Sequence, residues 1–132
     1  MQIISVINQK GGVGKTTSTI NLAAGLSQQN KKILVIDLDP QGNATTGLGL
    51  SNIDNYSDTI YGVLNGTKEI IDVIKKTQFE NLDIITSNVD LSGLEVETAD
   101  DSNRAFLLKV KLAAYLNTSR DIYDYILIDC PP

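Results

Sequence analysis

The 132 residues contain no histidine and no tryptophan. Without histidine, imidazole acid–base catalysis and histidine metal ligation are excluded outright. There is one cysteine, Cys130, so no intramolecular disulfide can form. With no Cys-His pair available, a catalytic thiol gives way to a small buried residue. No apolar run is long enough to cross a bilayer, and the N-terminus carries no signal-peptide pattern, so a soluble, cytoplasmic protein is expected. Basic residues are in the minority, 11 Lys and Arg against 16 Asp and Glu for a formal net charge of −5. That balance argues against a broadly basic nucleic-acid surface, though not against a local basic patch. Repeats, low-complexity tracts and linkers are also missing. The length suits one small domain, or part of a larger one, and is enough to bury a core.

What the chain does have is concentrated near its start. Residues 9–17 read QKGGVGKTT, between an apolar run at residues 2–8 and a helical pattern at about 16–29. Strand, glycine-rich turn and helix is the context of a phosphate-binding loop. The match to G-x-x-x-x-G-K-[ST] requires a stretched frame, because a second lysine, Lys10, precedes Gly11. Glycines permit the tight turn and the close approach of backbone to a ligand.

The remaining elements follow from periodicity. The Ile/Val-rich run at 2–8 suits a strand buried on both faces of a parallel sheet. In the helix at 16–29, Ile20, Ala23, Ala24 and Ser27 share a face, flanked by Leu22 and Leu26. A second buried strand at 32–38 ends in Asp37-Leu38-Asp39-Pro40, which completes a βαβ unit with parallel strands. Residues 41–58 form a Gly/Asn/Thr/Ser-rich loop with at most short helical turns, and loops of that length are usually functional or mobile. Short helices are expected at 59–64 and 69–75, a third strand at 82–86 and one or two helical turns at 91–97. Asp100, Asp101, Ser102 and Asn103 offer N-cap chemistry for a helix over about 104–116. A fourth strand at 125–128 runs into Asp129, and the chain stops four residues after Ile128.

Several residue types suggest chemistry. Lys15 and Thr16 stand where turn becomes helix, and unpaired N–H groups and the helix dipole there favour phosphate. Lys15 can reach β- and γ-phosphates, and the Thr16 hydroxyl can ligate Mg²⁺. Asp129, closing an apolar strand, either supports the metal through water or caps the next turn. Asp37 and Asp39 end the second strand. One could position an attacking water while the other braces the loop, or both could be a polar strand terminus. Asn43, Thr45 and Thr46 read as ordinary turn residues. Lys10, at the turn's entrance, is either a cation for charge developing in phosphoryl transfer, reaching a neighbouring subunit's nucleotide, or a surface lysine.

With these residues in view, the chain resembles a known family. KGGVGKTT at 10–17 is similar to the deviant Walker A of ParA/Soj partition ATPases, in the ParA/MinD group of P-loop proteins. DLDPQGNATTGLG at 37–49 is similar to the segment that follows it there, and IDCPP at 128–132 to the Walker B end. YGVL at 61–64 and NVDLSGLEVE at 88–97 look familiar as well. The resemblance covers essentially the whole chain, and DPQGN after the signature lysine favours ParA/Soj over MinD.

The resemblance implies an α/β, three-layer P-loop NTPase fold with a mainly parallel sheet, its four strands ordered 3-2-4-1. It implies ATP and Mg²⁺ as ligands. Lys10 would contact nucleotide across a dimer. Gly11, Gly12, Val13 and Gly14 would form the cradle, Lys15 would be the phosphate lysine, Thr16 the Mg²⁺ ligand and Thr17 a phosphate contact. Asp39 would be the acid of hydrolysis and Asp129 the Walker B acid. Partners implied are a ParB-type protein, non-specific DNA and a second copy in an ATP-dependent homodimer, with no membrane; nucleoid association would follow from full family function. Family chains are about twice this length, so residues 1–132 are expected to be the N-terminal part of one ATPase domain, truncated after the Walker B strand, with residues 2–8 left as an open edge. The absence of residues before Met1 argues against the subtype with an N-terminal helix-turn-helix. The rival expectations are a non-enzymatic fragment or nucleotide-binding module without ATPase and DNA-binding activity, and a P-loop ATPase with other cargo. A MinD-like version of the latter would be supported by a membrane-binding amphipathic C-terminus, and none is present.

Overall fold

The computed structural model describes residues 1–7, 15–50, 58–87, 101–119 and 122–130. The centre is β2, Ile33–Asp37, with all five residues buried. Its side chains alternate between two cores. Ile33 and Val35 join Ala23, Leu82, Ile84 and Leu127 on one face, while Leu34 and Ile36 join Ile85, Ile126 and Ile128 on the other. A continuous apolar run is what a strand covered on both faces requires. Each fully buried branched side chain here contributes about 1.5–3 kcal/mol.

Beside β2 lie β5, Tyr125–Asp129, and β4, Leu82–Ile85; β1, Gln2–Val6, pairs with β5, and β3, Ile74–Lys76, with β4. The order is β1-β5-β2-β4-β3, parallel throughout except for β3. The four strands expected from the sequence therefore stand in the order 3-2-4-1. Helices cover both faces. On one are α1, Lys15–Gln28, and α2, Asn43–Gly47. On the other are α3, Ile60–Leu64, α4, Ile70–Val73, and α5, Asp101–Thr118. This is a three-layer α/β sandwich.

Four expectations need correction. First, β1 is not buried on both faces; Ile3 is 46% exposed, because among the described residues the strand pairs with β5 alone. Second, the helix expected at 69–75 stops at Val73, and Ile74–Lys76 becomes an antiparallel strand. The open side of β4 recruits it, with Ile74 opposite Ile85 and Lys76 opposite Asp83. Third, the buried stripe of α1 is Thr19, Ala23 and Ser27, while Leu22 is exposed. Small side chains let the helix sit close to the sheet, and Ser27 Oγ satisfies itself by donating to Ala24 O at 2.8 Å. Fourth, α5 begins at Asp101, ahead of the expected start, so three of the four expected capping residues, Asp101, Ser102 and Asn103, fall inside it, while Asp100 lies outside the described residues. The helical turns expected at 91–97 lie outside the described residues.

Candidate functional site

Parallel strands send all their carboxyl ends to one edge of a sheet, and ligands of open α/β sheets bind there. In this sheet Val6, Asp129 and Asp37 are cross-strand neighbours in a single row. The ladder continues one step past the strands, with Leu38 N donating to Asp129 O at 3.0 Å and Cys130 N to Val6 O at 3.2 Å. From β1 the chain passes through residues 8–14 to the start of α1 at Lys15. The glycine-rich stretch thus joins this edge to the helix N-terminus.

Asp37 is fully buried. Its Oδ1 accepts from Asp39 N at 3.1 Å. Its Oδ2 accepts from Thr45 N at 2.9 Å and from Thr45 Oγ1 at 2.8 Å. Burial pushes its carboxyl up to about 6; the Thr45 and Asp39 donors pull it down, and the nearby Asp129 charge adds to the rise. Asp39 is buried too, its Oδ1 accepting from Gln41 N at 3.0 Å and its O from Gly42 N at 2.9 Å. This closes a tight turn around the acid. Asp129 is fully buried and receives Thr19 Oγ1 of α1 at 3.4 Å. Of the two carboxylates that close β2, it is Asp37 that braces the loop.

Lys10, Gly11, Gly12, Val13 and Gly14 lie outside the described residues. Lys15 and Thr16 open α1, and their side chains are likewise outside the description. Thr17 is exposed in the first turn of that helix. Asp37, Asp39 and Asp129 come together at the carboxyl edge, and Thr19 ties Asp129 to the helix that Lys15 starts. Sequence reasoning missed Thr19, and it read Thr45 as an ordinary turn residue. Thr45 is 3% exposed, and its Oγ1 also accepts from Ser87 N at 2.9 Å. Nothing in a Gly/Asn/Thr-rich stretch signals that one threonine is buried between two strand ends.

Among the described residues no cluster of three His, Cys, Asp or Glu could hold a metal ion by itself. Among the described residues this edge offers buried carboxylate and hydroxyl oxygens. That set fits Mg²⁺ carried by a nucleotide, which keeps waters and takes one or two protein oxygens beside the phosphates. Among the described residues no helix is long and apolar enough to cross a membrane.

The AAA-domain family matches residues 1–132. The chain is 45% identical over 131 residues to the sporulation initiation inhibitor protein Soj of Bacillus subtilis, covering 99% of this chain and 50% of that protein. It is 42% identical over 132 residues to the chromosome partitioning protein ParA of Caulobacter vibrioides, covering 100% of this chain and 48% of that one. Among solved structures, cobyrinic acid a,c-diamide synthase from Mycobacterium smegmatis with bound ATP analog and magnesium superposes with a TM-score of 0.83 at 35% identity. That match covers 100% of this chain and 52% of the synthase. The chain spans about half the length of the curated relatives it matches.

Proposed function

The chain belongs to the AAA-domain family, within its ParA/Soj branch of P-loop ATPases, and from that membership we propose that it binds ATP with Mg²⁺ and hydrolyses it as a partition ATPase. The observation that carries this reading is the row of buried acids at the carboxyl edge, tied by Thr19 to the helix that begins within the KGGVGKTT stretch. Residues 1–132 are read as part of one such domain, which the single five-stranded sheet with a core on each face supports.

Lys15 and the backbone N–H groups at the start of α1 would bind the phosphates, and Gly11 to Gly14 would let the backbone approach them. Thr16, with Asp129 acting through water, would hold Mg²⁺, which when bound neutralises charge on the β- and γ-phosphates. Asp39 would orient or activate the attacking water. Lys10 would stabilise charge developing on the transferred phosphoryl group, from a neighbouring copy in an ATP-dependent dimer. Action with a ParB-type partner and non-specific DNA belongs to the same proposal.

Lys15→Ala is expected to lose ATP binding; undiminished affinity by calorimetry would sink the assignment. An ATPase rate measured on the chain alone, and with a ParB-type partner and DNA, separates hydrolysis from a module that holds nucleotide without turnover.

A further inference from the structure

We propose that Thr45 is a positioning residue for Asp39, joining the acid-bearing turn to the end of β4 through its one hydroxyl. The role assigned to Thr45 in turnover rests on the reading of Asp39 as the acid of hydrolysis.

A threonine hydroxyl offers one donor and two acceptor sites. Here the donor goes to Asp37 Oδ2 at 2.8 Å, and an acceptor site takes Ser87 N at 2.9 Å. The other Asp37 oxygen holds Asp39 N at 3.1 Å. A continuous relay therefore runs from the Ser87 amide through the Thr45 hydroxyl and the Asp37 carboxylate to the Asp39 amide. All four residues are buried, where hydrogen bonds are stronger and a lost partner costs more.

A second observation supports the coupling. Gly42 has φ +66°, and a Cβ placed there would stand 3.4 Å from Ser87 O. The turn thus lies directly against the exit of β4. The far end of the same loop is held at the same place. Ile60 N donates to Thr86 O at 2.8 Å, and Lys75 Nζ donates to Thr86 Oγ1 at 3.1 Å and to Asp58 O. Both ends of the loop between β2 and α3 are stapled to Thr86 and Ser87. Asp39 is consequently set by the position of β4 as well as by its own strand.

The test compares Thr45→Val, close in shape but without the hydroxyl, with Thr45→Ser, which keeps it. Thr45→Ala serves as a second hydroxyl-free variant if the valine does not fold. Steady-state ATPase, ATP affinity by calorimetry and amide exchange by NMR are measured on the full chain. The hydroxyl-free variant is expected to lose about tenfold in kcat at unchanged ATP affinity, while Thr45→Ser stays within about twofold of wild type. Exchange at the Asp39 and Ser87 amides should accelerate in the hydroxyl-free variant, with the Ile33–Asp37 amides of β2 unaffected. Unchanged kcat and unchanged exchange in the hydroxyl-free variant, or a serine variant as impaired as it, overturns the proposal. A wild-type chain that does not bind ATP defeats the ATPase reading instead. The Asp39 and Ser87 amides then decide by themselves whether Thr45 holds the turn.

Discussion

The two ends of the sheet each hold a carboxylate with a hydroxyl, and they do so to different effect. At the carboxyl end, buried Asp37 is gripped by three neutral donors from a turn that carries a second acid. At the amino end, Tyr123 Oη donates to Asp83 Oδ2 at 2.7 Å, and Lys76 Nζ lies 3.5 Å from Asp83 Oδ1. Burial and the Asp83 contact push the Tyr123 phenol well above its usual range, which keeps it a donor. Nearby, Lys32 N donates to Asp124 Oδ2 at 2.8 Å and Asp124 N to Lys32 O at 2.7 Å, fastening one strand entry to another. The amino end has a cation beside its carboxylate, and a cavity of about 490 Å³ lined in part by Lys32, Lys76 and Tyr123. Its bonds join distant parts of the chain and end there. At the carboxyl end the bonds lead from Ser87 to Asp39. One end fastens the fold; the other uses the same chemistry to aim a side chain.

The difference can be broken by substitution. The largest effect is expected for Asp39→Ala, which should keep ATP affinity and lose about a hundredfold or more in turnover. Equal turnover would remove Asp39 from the mechanism and leave the carboxyl end as structural as the amino end.

Next comes the pH dependence of stability. The Asp37 carboxyl titrates at about 6 in the folded chain, against 3.8 for an unperturbed aspartate. A raised folded value means the native state takes up the proton first. The stability from this group is full below about pH 4 and is lost as pH rises through about 6, on the order of 3 kcal/mol in total. Urea unfolding of Asp37→Asn, which cannot ionise, should show a flatter pH slope across that window than wild type. Parallel slopes would mean that Asp37 is not the group responsible.

The smallest effect is expected for Tyr123→Phe. Loss of one partly buried hydrogen bond should cost about 1 kcal/mol of stability, with ATP affinity and turnover untouched. A turnover change in that variant would show the amino end to be coupled to the site after all.

Much of this was legible without a structure. Ile33-Leu34-Val35-Ile36 reads as a strand covered on both faces, which it is, and the KGGVGKTT stretch that runs into the start of α1 is the ground on which the carboxyl edge is proposed as a phosphate site. These are local properties: side-chain polarity, spacing and backbone freedom over a few residues. Tertiary structure decided the rest. β1 is apolar like β2, yet Ile3 is exposed: among the described residues β1 lies at the edge of the sheet and pairs with β5 alone, the open edge expected for residues 2–8. Ile74 and Lys75 leave their expected helix and, with Lys76, form a strand because β4 offered unpaired backbone groups. Sequence left open which of Asp37 and Asp39 braces the loop and passed over Thr45 as a turn residue. The first point follows from the Asp39 and Thr45 donors that converge on Asp37, and the second from the amide of Ser87, 42 residues after Thr45, which meets the Thr45 hydroxyl. A hydrogen bond between residues so far apart has no signature in the spacing of either.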